Sequence, residues 1–480
     1  MKILMATSEF SPLASTGDLG DQVGILAAEL KRLGHDVSVV MPFYRTIRES
    51  KQDIRPTGME FQVNLGGKRA TTDIMETTNP NGIQMFMVRR DEYFDRSGIY
   101  GGGGRPYEDN AERFIFFSKV VIELAQRITP SPEIIHCHDW TSALVPVFVR
   151  DRQLPFRTVL TIHNLEHQGS FWSFDFALTN LPGSFFGPGG VEFYGRLNFL
   201  KAGILHADAV TLPGETALFE AFTLRYGFGL DSVLQENHSR IFGILHGVNY
   251  SETNPSFGDL LGEPQKSNNG KASCRKAVLE QLGLEKDPKG VLYALPIEPK
   301  DDAAFAALMP FIDLILTANA CLITTGKVAE SDIASVIVAE RKYPTRFSYQ
   351  PDADLRKRQV TLAGADAVLL PSSLGFRGIT ALTAMRYATL PVVKSRGGVH
   401  QIVSDYDPET GSGNGLIYFN HSPRAVLDSV RRANDLYQQH DLWSQLAARA
   451  QKVDMSWGES ATAFARLYAN LLRHRNASAA

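Results

Sequence analysis

The sequence predicts a two-domain α/β protein, and three features of the chain carry that prediction. Short β-rich runs alternate with amphipathic segments along the first half. Polar or glycine-containing loops follow those runs, and a stretch rich in Gly, Ser, Asn and Pro separates this half from a second alternation. The chain opens with a strand at Lys2–Ala6, a helix over 23–33 and a strand over 37–41, the order of a βαβ unit. Val23, Leu26, Ala27, Leu30 and Leu33 recur close to the 3.6 period, and Gly34 stands where a helix-terminating glycine is expected. Further strands are expected at 133–138, 158–163 and Ala209–Leu212, each ending in a loop of the kind where α/β sheets place ligands. Linker chemistry over 250–275 sets the boundary. Beyond it come strands near 290–295, Cys321–Thr325, Ala367–Leu370 and 391–393, with helices over 378–387 and 425–438. The final segment, 456–475, carries Trp457, Ala461, Phe464, Leu467, Tyr468 and Leu471 on one helical stripe. The resulting division is 1–245, 246–455 and a terminal helix over 456–480. The glycine run 101–104 reads most simply as a mobile surface loop, with bordering a cleft as the alternative.

Composition excludes several classes of protein. At 480 residues the chain is long enough for two or three domains of about 150 residues each. Its 44% hydrophobic and 21% charged content is ordinary for a globular protein, and no apolar run approaches the roughly 20 residues that cross a bilayer. Lys and Arg total 49 against 52 Asp and Glu, so no global basic field recruits nucleic acid. The three cysteines, Cys137, Cys274 and Cys321, form no CxxC pair, which fits a reducing compartment and gives no zinc signal. The start, MKILMATSEF, reads as a first strand rather than a signal peptide. A cytoplasmic protein is expected.

Three loops carry candidate chemistry. Residues 8–24, SEFSPLASTGDLGDQVG, place Gly17 and Gly20 just before a helix, where backbone N–H groups can cradle a phosphate or a sugar; a plain βα turn has the same pattern. IIHCHDW sets Asp139 beside Trp140 at a strand end. A carboxylate accepting hydroxyl hydrogens next to a ring covering an apolar sugar face would make a sugar site, and an Asp capping the next helix over Thr141 and Ser142 is the structural alternative. TIHNLEHQG supplies His163 and Asn164 after another strand. His136, His138, His163 and His167 lie on separate loops without H-E-x-x-H spacing, so no metal is expected, and no G-x-S-x-G supports a serine nucleophile.

The order of SEFSPLASTGDLGD, YFDRSGIYGGG, IIHCHDW, TIHNLEHQG, EFYGRLNFLKAGILHAD, YGFGLD, ILHGVNY and PSSLGFRGITALTAMRYATLPVV closely resembles bacterial glycogen synthases and plant starch synthases, over nearly the whole chain. The resemblance implies a GT-B fold, two Rossmann-like domains facing a cleft with a C-terminal helix crossing back to the first domain. It also implies retaining transfer of glucose from ADP-glucose to an α-1,4-glucan, with no metal and no cofactor. Carried over position by position, His163, Asp139 and Asp21 stand where the family's catalytic residues stand. Glu9, Asn164, Trp140, Tyr93 and Tyr100 stand at sugar-contacting positions, and Asp21, Asp139 and His163 are expected to converge in one pocket.

The donor side departs from the family. Its lysine in the first loop is Ser15 here, followed by Thr16, Gly17 and Asp18. Its diphosphate-binding arginine and lysine align with Glu298 and Ala303, its base-stacking aromatic with Ala353, its donor-glucose glutamate with Gly375, and an asparagine with His246. Gly17, Gly397, Gly398 and Thr380 remain of the donor cradle. The implied partners are α-1,4-glucan or maltooligosaccharide, weakly bound ADP-glucose, and another enzyme of glycogen metabolism, without nucleic acid or membrane. Three readings stay open: an impaired synthase that still binds glucan, an active transferase with a rebuilt donor site or another donor, and a sugar-binding sensor.

Overall fold

The computed structural model of the chain describes residues 1–50, 52–247, 256, 260, 270–285, 289–297, 312–313, 315–316, 320–370, 379–395, 399–419 and 422–478. They fall into two compact units, one comprising Met1–His246 with Trp457–Ala480 and the other Gly247–Ser456.

The first unit is built on a nine-stranded sheet. Its strands are β1 (Lys2–Ala6), β2 (Asp36–Pro42), β3 (Arg55–Leu65), β4 (Lys68–Thr78), β5 (Gln84–Arg89), β6 (Ile134–His138), β7 (Arg157–Thr161), β8 (Ala209–Leu212) and β9 (Ile241–Gly243). Their order is β9-β8-β7-β6-β1-β2-β5-β4-β3. Pairing is parallel from β9 to β5, and β4 and β3 then add antiparallel. β1 lies between β2 and β6, in register Ile3↔Val37 and Ile3↔Ile134, and is buried on both faces from Ile3 to Ala6. That is why it reads as one continuous apolar run instead of an alternating one. The first helix, Asp18–Arg32, buries Val23, Leu26, Ala27 and Leu30. It ends as expected at Gly34, at φ +85°, where His35 N donates to Leu30 O (3.1 Å) in the six-to-one closure of a Schellman turn.

The second unit holds a parallel six-stranded sheet among the described residues. Its strands are β10 (Leu292–Pro296), β11 (Cys321–Thr325), β12 (Phe347–Gln350), β13 (Ala367–Leu370), β14 (Leu390–Lys394) and β15 (Leu416–Tyr418), in the order β12-β11-β10-β13-β14-β15.

Two expectations are corrected here. The stretch read as linker contains the start of a helix, Gly270–Gln281. Lys271 anchors it, its buried ammonium donating to Ala365 O (2.6 Å), Tyr387 O (3.0 Å) and Thr389 Oγ1 (2.8 Å). The glycine run is an ordered hairpin, with Gly101 paired to Pro106 and Gly102 to Arg105. A Cβ on Gly101 would lie 2.1 Å from Arg105 O, and Gly103 and Gly104 turn at φ +61° and +80°, so close backbone approach, not mobility, calls for the glycines. No helix of the described residues is long and apolar enough to cross a membrane.

The terminal helix, Trp457–Ser478, completes the first unit. Trp457, Ala461, Phe464, Leu467 and Tyr468 are all buried. Tyr468 OH shares a hydrogen bond with His136 Nδ1 (2.8 Å), and Ser460 Oγ donates to Leu245 O (2.6 Å). His136 and His138 are fully enclosed on β6, and burial drives His136 far below the usual imidazole range and His138 down to about 3. Both are therefore neutral in the folded chain.

Phe464→Ala is expected to destabilise the first unit by about 3–5 kcal/mol, through lost apolar burial and the cavity left behind. The reading is a lowered midpoint of urea unfolding of the full chain, and an unchanged midpoint contradicts the packing described. A second expectation follows from the histidines. Their unfolded-state pKa is near 6.5 and their folded values are depressed, so the unfolded chain takes up protons first as pH falls. Stability is therefore fully present above about pH 6.5 and declines below it, by up to about 1.4 kcal/mol per pH unit for each histidine. Urea titrations at pH 7, 6 and 5 should show that decline, and a flat profile contradicts it.

Candidate functional site

The ends of β6 and β7 meet at Asp139. This residue sits at φ 57° and ψ −173°, a backbone conformation that costs a non-glycine residue about 1–3 kcal/mol. Its N–H donates to Thr161 O (2.9 Å), and its Oδ1 accepts from the backbone N–H of His163 (2.7 Å) and of Asn164 (3.4 Å). The carboxylate therefore shapes the loop after β7. It does not cap the short helix Trp140–Ser142, the structural alternative for this residue. That turn closes through Ser142 Oγ, which accepts from His138 N (2.8 Å) and donates to His138 O (3.0 Å).

Gln22, 5% exposed on the first helix, holds the His163 ring. Its Oε1 lies 3.0 Å from His163 Nδ1 and 2.6 Å from His246 Nδ1. On the far side of the ring, His163 Nε2 meets His138 Nδ1 at 3.1 Å. Hydrogen-bond logic assigns the protons: with Gln22 Oε1 as acceptor, His163 and His246 both carry Nδ1–H, so His163 Nε2 accepts from His138 Nδ1–H. The proton-free His138 Nε2 is then the buried nitrogen without a partner. This assignment keeps His138 neutral, in accord with its depressed pKa. His246 in turn stacks on Trp457 of the terminal helix, with centroids 5.4 Å apart and planes at 28°.

Glu9 is 3% exposed, and its carboxylate is engaged inside the protein. It accepts from Thr16 N (2.6 Å), Thr16 Oγ1 (3.0 Å) and Tyr100 OH (2.6 Å). Ser8 Oγ bonds Tyr100 OH (2.8 Å), and Thr141 Oγ1 donates to Ser8 Oγ (3.0 Å). One carboxylate and one phenol thus tie three loops together.

The expected convergence of Asp21, Asp139 and His163 is met by two of the three. Asp139 and His163 are joined, whereas Asp21 is exposed and its neighbour Gln22 faces inward. The signal for Gln22 was available, because it stands four residues before Leu26 and eight before Leu30, in the row that the helix buries. Two aromatics read as sugar contacts pack against other rings, Tyr93 buried and Trp140 half-exposed. Tyr93 is 4% exposed against Phe94 and Phe116, with its OH donating to Glu112 (2.5 Å). Trp140 packs among Tyr100, Phe114, Phe171 and Phe199, and a Cβ on Gly169 would strike its ring at 2.6 Å. Asn164 Oδ1 accepts from Glu166 N (2.9 Å), a turn-forming bond.

Of the positions read as donor-binding, Ser15 is exposed and its Oγ donates to Gly17 O (2.6 Å). Gly17 leads into the first helix with open space where a Cβ would stand, whereas a Cβ on Gly20 would come within 2.9 Å of Ser15. In the second unit Ala353 is 7% exposed just beyond β12, and Thr380 is half-buried in the helix Ile379–Arg386. Glu298, Ala303, Gly375, Gly397 and Gly398 lie outside the described residues. A recess of about 500 Å³ walled by Leu218, Phe219, Phe242 and Leu467 contains none of the residues read as functional. Among the described residues no group of three or more His, Cys, Asp or Glu side chains is arranged to hold a metal.

Comparison with known proteins places this frame. The family model of the starch synthase catalytic domain matches residues 2–236. Glycogen synthase of Syntrophotalea carbinolica is 33% identical over 476 residues, covering 98% of each chain. That of Koribacter versatilis is 32% identical over 480 residues at the same coverage. Among solved structures, the catalytic domain of Arabidopsis thaliana starch synthase IV, bound to ADP and acarbose, superposes with a TM-score of 0.82 at 24% identity, covering 98% of this chain and 99% of that one. A sucrose-phosphate synthase from Thermosynechococcus elongatus, at 14% identity, covers 98% of this chain and 99% of its own with a TM-score of 0.58, a likeness of fold. The fold is GT-B, and with about a third of its residues shared end to end, the chain belongs to the glycogen and starch synthase family of glycosyltransferases.

Proposed function

We propose that this chain binds α-1,4-glucan through its first unit and transfers glucose from ADP-glucose poorly or not at all. The observation that carries the reading is Ser15. Where the family's first loop offers a lysine to the nucleotide sugar, this chain offers a hydroxyl already turned onto Gly17 O, next to Asp18 in sequence. Glu298 and Ala303, aligned with the two diphosphate cations, and Ala353, aligned with the stacking aromatic, point the same way.

The size of the effect can be gauged. A hydrogen bond to a charged group contributes about 1.5–3 kcal/mol, so losing two phosphate cations weakens donor or transition-state binding by roughly 3–6 kcal/mol. At about 1.4 kcal/mol per decade, that corresponds to roughly 10²–10⁴-fold in rate. Departure of ADP places negative charge on phosphate, so missing cations weigh most at the transition state.

Glucan binding rests on a different set of groups. Asp139, His163 and Asn164 form a neutral-ring, carboxylate-braced loop suited to hydroxyls instead of phosphate. Calorimetry on one sample should therefore give measurable heat with maltooligosaccharides and little with ADP or ADP-glucose. Asp139→Ala should weaken maltooligosaccharide binding about ten- to a hundred-fold by freeing the loop it braces, at about 1.4–2.7 kcal/mol. Retained affinity in that variant would remove the first unit's loop from the binding site.

The donor argument has its own test. Radiolabelled ADP-glucose should be incorporated into glycogen by the unmodified chain at a small fraction of the rate of the relatives. Ser15→Lys, Glu298→Arg, Ala303→Lys and Gly375→Glu together should raise ADP affinity before turnover, since phosphate binding needs only the cations while transfer also needs the glucose in place. Robust glycogen-dependent incorporation by the unmodified chain, abolished by His163→Ala, would instead establish an active transferase with a rebuilt donor site.

A further inference from the structure

The helix Glu330–Lys342 of the second unit buries Val336 and Ala339 and leaves the opposite face to solvent. That face is apolar in its middle. Ile333, Ile337 and Val338 are 40%, 41% and 63% exposed, and Ala334 is exposed beside them. Scattered surface hydrophobes need no explanation, but these share one stripe. Glu330, Ala334, Ile337 and Arg341 follow at intervals of four, three and four residues, the spacing of a helix-pairing seam, and Ile333 and Val338 flank it on either side.

The two ends of the stripe carry opposite charge. Glu330 and Arg341 are both exposed, and the helix is acidic in its first turn and basic in its last. A second copy of the same helix laid antiparallel across it, about a two-fold axis at the middle of the stripe, puts Glu330 against Arg341 of the second copy. The same operation sets Ala334 against Ile337, with each pair occurring twice, and brings the two copies of Ile333 together on one flank of the seam and the two copies of Val338 on the other. Ala334 lets the backbones approach to the roughly 8–10 Å of packed helices, and the opposed helix dipoles add to the attraction. A surface that matches itself under a two-fold rotation is what an isologous dimer requires.

We infer that this helix face is a self-complementary dimerisation surface whose occupant is a second copy of the chain. Two helices of this length bury less than the roughly 1,200 Å² of a stable interface, so the dimer is a weak one, populated on the order of tens to hundreds of micromolar protein. The inference is independent of whether the chain transfers glucose.

Sedimentation velocity of the full chain over a dilution series tests it. The weight-average mass should rise toward that of a dimer, and Ile337→Asp, an exposed substitution, should hold the chain monomeric across the series. Glu330→Arg and Arg341→Glu should each weaken association about ten-fold by opposing like charges. The double variant Glu330→Arg with Arg341→Glu should restore it, because the exchanged charges again face their opposites. A purely monomeric wild type, or a dimer that survives Ile337→Asp, overturns the proposal. Failure of the double exchange to restore association overturns the antiparallel pairing on which it stands.

Discussion

The organising constraint of the first unit is the bond from His163 N to Asp139 Oδ1, 2.7 Å long, across the ends of β6 and β7. A parallel sheet leaves its strand ends to diverge into separate loops, and here one carboxylate holds two of those loops together. Asp139 reaches that place only by adopting φ 57°. Given the loop, the His163 ring falls between Gln22 and His138, and through Gln22 the first helix is joined to His246 and so to the terminal helix. Loops far apart in sequence become one frame because polar groups buried this deeply must find partners in the protein.

That frame explains why the polar centre of the unit is neutral. A protonated His163 would turn Nε2 into a donor facing His138 Nδ1–H, and a protonated His138 would place a charge where burial already depresses its pKa to about 3. The arrangement holds the rings in fixed tautomers. Neutral rings of this kind supply no positive charge.

Much of the fold was legible because its signals are periodic. Every strand read in the first half, from Lys2–Ala6 to Ala209–Leu212, lies on or within two residues of one in the sheet, and Gly34 closes the first helix. The misread segments share a physical reason. In the stretch taken as linker, Lys271 is a buried cation bonded to backbone carbonyls, and composition reports it as polar surface. The glycines at 101–104 serve a close backbone approach that sequence does not distinguish from flexibility. The joining of Asp139 and His163 was legible because both follow strand ends. Residue type did not show that Tyr93 packs on Phe116 or Trp140 on Phe114, since a ring that stacks on sugar and a ring that stacks on another ring have the same letter. The helical period marks Gln22 as buried but not what it binds, because its partners lie 141 and 224 residues away.

The same geometry bears on what the persistence of site residues means in a member of this glycosyltransferase family. Removing the Glu9 carboxylate would leave Thr16 N, Thr16 Oγ1 and Tyr100 OH without their acceptor, and a buried orphan costs about 1–3 kcal/mol before any sugar is considered. Asp139 and Gln22 stand in the same position. These residues support the fold, so their presence is compatible with lost transfer as well as with retained transfer. Ser15 differs, being exposed and bonded only to a neighbouring carbonyl among the described residues, so little of the fold depends on its identity. A substitution at an exposed position such as Ser15, where the fold places no demand of its own, therefore reports on binding more directly than one at Glu9, Asp139 or Gln22.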